Sequence, residues 1–203
     1  MRMFAAVVPP QDVLEDLEEF LGPRQEAGPE SAPFRWTRPE GWHLTLAFMA
    51  QVPERSLDDL LERLSRAGRR RDPFTLRLAG GGAFPNPARA KVLYAGVEAG
   101  PDDLEELRRL STGARAAAGK SGAPADGATF RPHLTLARMR RPVEATRWLR
   151  VLSTYRSREF TVTDFSLVQS HLGQGPGNRP RYEIVRSFEL GKPVGSPADD
   201  PPA

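Results

Sequence analysis

Residues 2–8, RMFAAVV, carry alternating apolar side chains and predict a strand. Residues 10–21, PQDVLEDLEEFL, switch to helical spacing. Val13, Leu14, Leu17, Phe20 and Leu21 form the stripe, behind a Pro and early acids that suit a helix N-terminus. A Gly/Pro-rich loop is expected from Gly22 to Pro33. Two short strands follow, 34–37 and 43–49, split by the turn RPEGW. Residues 53–71 predict a second helix. Leu57, Leu60, Leu61 and Leu64 make its stripe, and basic residues gather at its C-terminal end, where the helix dipole favours them. Strands are expected at 74–80 and 91–97, joined through FPNPARA. A third helix is expected over 101–118, a flexible loop at GKSGAPADGA, a strand at 133–139 and a fourth helix over 142–156. Strands at 160–170 and 181–190, separated by GQGPGNRP, close the pattern. The tail 192–203 is rich in Pro and Asp, has nothing to bury, and is expected to be disordered.

The order of elements carries information. Strand, helix, strand, helix, strand fills the first half, and the second half repeats it with one strand more. The pentapeptide HLTLA occurs twice, at 43–47 and 133–137, each time on a strand just before a helix. The expected fold is therefore α+β, with two pseudo-symmetric lobes. Each lobe is a mainly antiparallel sheet with helices on its outer face, and a cleft lies between the lobes. Residues 1–191 would form this single bilobal domain.

Composition narrows the classes. The 203 residues are 39% hydrophobic, enough for a core, yet no run of eighteen apolar residues exists to span a membrane. The N-terminus reads as a first strand and not as a signal peptide. With no Cys, disulfides, thiolate metal sites and thiol nucleophiles are excluded. A cytoplasmic location is the expectation. Net charge is +3, and 26 of the 29 basic residues are Arg. A GC-rich coding genome accounts for much of that bias. Arg also binds phosphate oxygens bidentately, so the excess fits an anionic ligand without requiring one.

The repeat holds two of only three histidines. On a regular strand His43, Thr45 and Ala47 share one face, opposite Leu44, Leu46 and Phe48. In the second copy His133, Thr135 and Ala137 lie opposite Leu134 and Leu136. The leucines then pack inward and the His/Thr faces line a polar cleft. One such motif would pass as an ordinary half-buried polar face. Two matched copies bring two imidazoles and two hydroxyls to one spot. A histidine titrates near neutral pH, so one ring can act as general acid and the other as general base. The threonines can donate to phosphoryl oxygens. The spacing is not that of a metal site, and neither a metal nor a cofactor is expected. Arg131 falls on the His133 face. Arg138 falls on the Leu134 face, and reaches the site only through a bulge, a twist or the strand end. His171, in QSHLG, lacks a following Thr and reads as a surface or rim residue.

At these residues the chain resembles the two-histidine (2H) phosphoesterase superfamily, whose signature is a pair of H-x-T-x motifs. It is most similar to the RNA 2′,3′-cyclic phosphodiesterase branch, also called 2′-5′ RNA ligase. The stretches MRMFAAVVP, RWTRPEGWHLTLAF, FPNPARAKVLYAGV, FRPHLTLAR and FSLVQS…RYEIVRSFEL carry the resemblance over about residues 1–190. Met49-Ala50 departs from the family's usual Leu-Gly, and GQGPGNRP is longer than the usual loop, which leaves the RNA-end contacts open. The resemblance implies hydrolysis of an RNA or nucleoside 2′,3′-cyclic phosphate to a 2′-phosphate, without metal or ATP. A reversible 2′-5′ ligase reaction can accompany it. His43 would be proton donor and His133 proton acceptor, with Thr45 and Thr135 holding the phosphate; Arg131 and Arg138, from the strand reading, are the further candidates for phosphate binding. The two motifs are nearly symmetric, so the residues alone do not assign acid and base. Partners would be RNA or nucleotide ends bearing the cyclic phosphate, with no membrane involved and the protein monomeric. Two alternatives stand beside this. One is action on another cyclic phosphate or on 2′-5′ oligoadenylate, separable by a substrate panel. The other is an RNA-end-binding module with vestigial chemistry, recognisable by RNA affinity without turnover.

Overall fold

The computed structural model describes residues 1–26, 34–127, 129–175 and 177–191. Their regular elements are, in order, β1 (Met3–Val7), α1 (Gln11–Glu26), β2 (Phe34–Trp36), β3 (Leu44–Met49), α2 (Leu57–Gly68), β4 (Phe74–Phe84), β5 (Ala90–Glu98), α3 (Pro101–Lys120), β6 (His133–Val143), α4 (Thr146–Leu152), β7 (Phe160–Val162), β8 (Asp164–Gly175) and β9 (Arg179–Glu189). All strand pairs are antiparallel, and the sheet runs β7-β4-β5-β6-β3-β1-β8-β9, with β2 added on β6.

The two expected lobe sheets are thus one continuous curled sheet. Its halves, β7-β4-β5-β6 and β3-β1-β8-β9, meet at a single residue pair, Leu44 opposite Leu134. In an antiparallel ladder the point between two opposed residues is a local twofold axis. Here the opposed residues are the same residue of the two HLTLA copies. The sequence repeat therefore becomes a spatial twofold at the middle of the sheet.

The helices cover the face into which Leu44 and Leu134 point, and both leucines are fully buried there. The lobes are not consecutive halves of the chain. Helix α1 follows β1, yet it docks beside the segment after α4: the Tyr155 hydroxyl donates to Asp16 at 2.9 Å, and Arg158 grips Asp12. Helix α3 follows β5, yet its Ser111 hydroxyl donates to the Leu46 carbonyl of β3 at 2.7 Å. Helix α1 thus packs on the lobe of β4, while α3 spans both lobes, bonding β3 through Ser111 and β4 through Asp103. Strand β1 is buried on both faces, which explains its unbroken apolar run. Met3, Ala5 and Val7 enter the main core, while Phe4 and Ala6 join a small cluster with Val168 on the other face.

Several expected boundaries move. Helix α1 passes Gly22 and Pro23 and ends at Glu26, and the remainder of the expected loop lies outside the described residues, as does the 192–203 tail. Helix α4 is confined to Thr146–Leu152, because Pro142 and Val143 still belong to β6, which pairs Val143 with Ala90. The expected strand 160–170 is two strands, and the described residues of GQGPGNRP belong to the end of the β8–β9 hairpin. No described helix is long and apolar enough to cross a membrane.

Candidate active site

Strand alternation around Leu44 and Leu134 turns His43, Thr45, His133 and Thr135 to the face opposite the helices. All four side chains are half-buried there. The antiparallel register sets the histidines on one diagonal and the threonines on the other. Among the described residues, no protein group bonds the hydroxyl of Thr45 or Thr135, and both remain free to donate to a ligand.

The regular alternation expected for the repeat fails in one respect, and in both copies alike. Opposite β1, Thr45 pairs with Ala6 but Ala47 with Ala5. Opposite β5, Thr135 pairs with Tyr94 but Ala137 with Leu93. Leu46 and Leu136 are each an extra residue, a β-bulge. A bulge reverses the alternation beyond it. Ala47 and Ala137 therefore turn into the core with the leucines and do not leave room beside the threonines. Phe48 and Arg138 take the His/Thr face instead. The bulge is what brings Arg138 to the site, and its positive charge acts on His43, His133 and Tyr182 together. The carbonyls freed by the bulges find donors from other elements: the Ser111 hydroxyl for Leu46, and the Thr37 amide, at 2.7 Å, for Leu136.

Each histidine has the same surroundings. The His133 Nδ1 lies 2.6 Å from the Arg131 carbonyl, two residues upstream. A carbonyl only accepts, so Nδ1 holds the proton, and Nε2 of the neutral ring is left with its lone pair. His43 is hydrogen-bonded to the backbone of Gly41, again two residues upstream. The His43 ring stacks on Phe4 at 4.4 Å and meets Tyr182 edgewise at 5.5 Å. The His133 ring meets Phe84 at 5.0 Å and Tyr94 at 5.3 Å. A glycine makes space for each tyrosine. A Cβ on Gly41 would stand 3.3 Å from the Tyr182 ring, and one on Gly82 would strike the Tyr94 hydroxyl at 2.3 Å. These aromatic and glycine partners escaped the sequence reading, since they come from strands remote in the chain.

Electrostatics follow from this packing. Burial pushes His43 down to about 4; its bond to Gly41 opposes the shift, while Arg138 and His133 add to it. Burial lowers His133 as well, opposed by the Arg131 carbonyl and helped by Arg138. Both shifts favour the neutral ring in the free protein. The sequence reading took the ordinary histidine value for both rings; the packing lowers both in the ligand-free protein. The other expected cation, Arg131, is exposed, and its guanidinium lies over the Phe84 ring at 5.9 Å, at the edge of the site. His171 sits apart, with Nε2 3.2 Å from Glu183. Among the described residues, no three His, Cys, Asp or Glu side chains are grouped to hold a metal.

Beside the histidine pair lies a groove of about 840 Å³. Its walls are the segment Arg35–Gly41, Arg138, and the end of the β8–β9 hairpin with Tyr182. Neither His43 nor His133 is among its lining residues. The reacting groups therefore sit at its margin.

Known proteins resemble this chain over most of its length. The model of the 2′-5′ RNA ligase superfamily matches residues 9–174. An RNA 2′,3′-cyclic phosphodiesterase of Thermus thermophilus is 34% identical over 199 residues, covering 94% of this chain and 90% of that protein. One of Archaeoglobus fulgidus is 33% identical over 190 residues, covering 93% and 100%. Among solved structures, a Thermus thermophilus protein superposes with a TM-score of 0.73 at 31% identity, covering 95% of this chain and all of that one. E. coli LigT complexed with 3′-AMP superposes with a TM-score of 0.72 at 25% identity, covering 94% and 98%. By this coverage and identity, the chain belongs to the 2′-5′ RNA ligase superfamily, as a two-histidine phosphoesterase.

Proposed function

We propose that this protein hydrolyses the 2′,3′-cyclic phosphate of an RNA end or nucleoside to a 2′-phosphate. The observation that carries the reading is the diagonal set of two imidazoles and two unengaged threonine hydroxyls about the Leu44–Leu134 pair. In-line attack on phosphorus needs a base beside the entering water and an acid beside the departing oxygen, on opposite sides. Opposed diagonal corners supply that arrangement, and Thr45 and Thr135 flank the space between them. The water oxygen bonds to phosphorus, and its proton passes to Nε2 of His133. The bond from phosphorus to the 3′ oxygen breaks, and His43 protonates that oxygen. The Arg138 charge offsets the negative phosphoryl oxygens, with Arg131 further out.

Naming of the relatives as RNA 2′,3′-cyclic phosphodiesterases supports the substrate. The reading is metal-free, with both proton transfers assigned to the two histidines. The reading extends to a monomeric cytoplasmic enzyme working as one bilobal unit over residues 1–191. The test is incubation with 2′,3′-cyclic AMP and with a short RNA ending in a cyclic phosphate, chelator present, with products separated against 2′- and 3′-nucleotide standards. A 2′-phosphate is expected. His43→Ala and His133→Ala should each lower turnover by roughly two to four powers of ten, and His171→Ala far less. A 3′-phosphate would remove the roles given to the two histidines. Activity abolished by chelator and restored by a divalent ion would end the metal-free reading.

A further inference from the structure

A histidine on the open face of a strand can rotate about both of its side-chain torsions. For His43, a bond to the Gly41 backbone fixes one end of the imidazole. A single hydrogen bond still lets the ring turn about that bond, and the turn would swing Nε2 away from the threonines. Two other rings block it. Phe4, from the neighbouring strand β1, stacks on the imidazole with centroids 4.4 Å apart and planes 17° apart. Tyr182, from β9, meets the imidazole at 5.5 Å and 90°, and meets Phe4 at 5.2 Å and 86°. The three rings therefore touch pairwise. The stacked neighbour resists tilting, and the perpendicular one resists sliding in the plane.

The Tyr182 contact is the less obvious of the two. In the sheet order β3-β1-β8-β9, two strands separate β9 from β3. The tyrosine reaches His43 across the concave face, and Gly41 leaves it room. A Cβ at Gly41 would stand 3.3 Å from the Tyr182 ring. Gly41 thus serves His43 twice, through its backbone bond and through the space it leaves. The hydroxyl does not explain where the ring sits, since no protein group among the described residues bonds it. Core formation does not explain it either. Phe4 belongs to a small cluster with Ala6 and Val168, against which Phe48 and Tyr182 pack, apart from the main core.

We propose that Phe4 and Tyr182 are positioning residues for His43, holding its imidazole so that Nε2 faces the phosphate between Thr45 and Thr135. The proposal rests on the cyclic phosphodiesterase reading of the site. It assigns both residues an action through His43 and no contact with the reacting atoms.

The test removes one ring at a time. On 2′,3′-cyclic AMP, Tyr182→Leu should lower kcat at least tenfold with KM nearly unchanged, since a misplacement of about 1 Å can cost a hundredfold in rate. Tyr182→Phe keeps the ring and drops the hydroxyl, and should recover most of that loss. Phe165→Leu, on the core face of β8 against Phe188, controls for general loosening and should leave kcat near wild type. A loss carried by KM, or Tyr182→Phe as damaging as Tyr182→Leu, would make Tyr182 a substrate contact and overturn the proposal.

A second measurement needs no substrate. The chain has three histidines, so isotope-labelled imidazoles give separable NMR signals. The groups facing His43 with charge or a titratable proton are His133 and Arg138 from β6 and Tyr182 from β9; Phe4, from β1, brings neither. Removing a ring keeps both β6 groups and admits water, which favours imidazolium. In the wild type the His43 ring protons should lie upfield, shielded by the stacked Phe4, and titrate at about 4. The shielding should vanish in Phe4→Leu, and the midpoint should rise toward 6.5 in both Phe4→Leu and Tyr182→Leu. Wild-type shifts and midpoint in both variants would overturn the proposal. If 2′,3′-cyclic AMP is not hydrolysed, the proposed reaction falls, and these signals alone decide whether the two rings hold His43.

Discussion

A histidine that must carry a proton during catalysis sits where carrying one is costly. His43 is sandwiched against Phe4 and Tyr182, faces Arg138, and is pushed down to about 4 from an ordinary 6.5. A bound phosphate reverses the local sign, because an anion favours imidazolium. The acid is thereby charged by its own substrate, and the pH profile of kcat should lie at higher pH than that of kcat/KM. Rate profiles in both regimes check this, and coincident profiles would contradict it. The same depression has a consequence for folding. Between pH 6.5 and 4 the unfolded chain binds a proton at position 43 that the folded chain refuses. Stability from this residue is therefore complete above pH 6.5 and is lost as pH falls toward 4. The loss should be on the order of 2 kcal/mol, allowing for the ring's partial contact with solvent. Urea unfolding at pH 7 and pH 4.5 measures it, with His43→Gln as reference. An equal acid loss in wild type and variant would show that His43 contributes nothing to the slope.

At the level of the element, the HLTLA motif is a strand with a built-in bulge. The chemistry of the repeat was legible as letters: which residues recur, that His and Thr alternate with Leu, and that Arg138 needs an irregularity to reach them. The bulge itself was not legible. Alternation assumes an unbroken pleat, and the groups that sustain the break come from elsewhere in the chain, Ser111 from α3 and Thr37 from the end of β2. In the sequence, Ser111 is one polar residue among the many of α3. It is fully buried, and its hydroxyl satisfies the carbonyl that the bulge at Leu46 exposes. Ser111→Ala should therefore cost about 1–3 kcal/mol, the penalty for an orphaned buried carbonyl. Thr112→Ala, next to it, removes an exposed hydroxyl that only bonds back to its own helix, and should stay within about 0.5 kcal/mol of wild type. Thermal or urea unfolding of the pair decides the matter, and equal effects would mean that the bulge does not depend on Ser111.

For the whole molecule, the sequence order concealed how the lobes are assembled. Counting elements suggested consecutive halves, yet the helices are exchanged across the lobes: α1 follows β1 but packs on the lobe of β4, and α3 reaches from β4 to β3. That exchange ties the halves together on the helix side, where the strands themselves share only Leu44 opposite Leu134. The seam can thus be narrow without the halves separating, and the two histidines stand beside it. Its leucines then do two jobs, core burial and alignment of the active site, and these can be separated. Leu134→Ala should cost about 2–5 kcal/mol, as truncation of a buried leucine does. Leu64→Ala, in α2 and equally buried, should cost a similar amount. Only the first opens space beneath the facing His/Thr pairs, where a misplacement of about 1 Å can cost a hundredfold in rate. Measured at a temperature where both variants remain folded, kcat should fall at least tenfold in Leu134→Ala and stay near wild type in Leu64→Ala. Equal kcat in the two variants, at matched loss of stability, would mean that the helix exchange alone aligns the lobes and that the leucine pair is ordinary core.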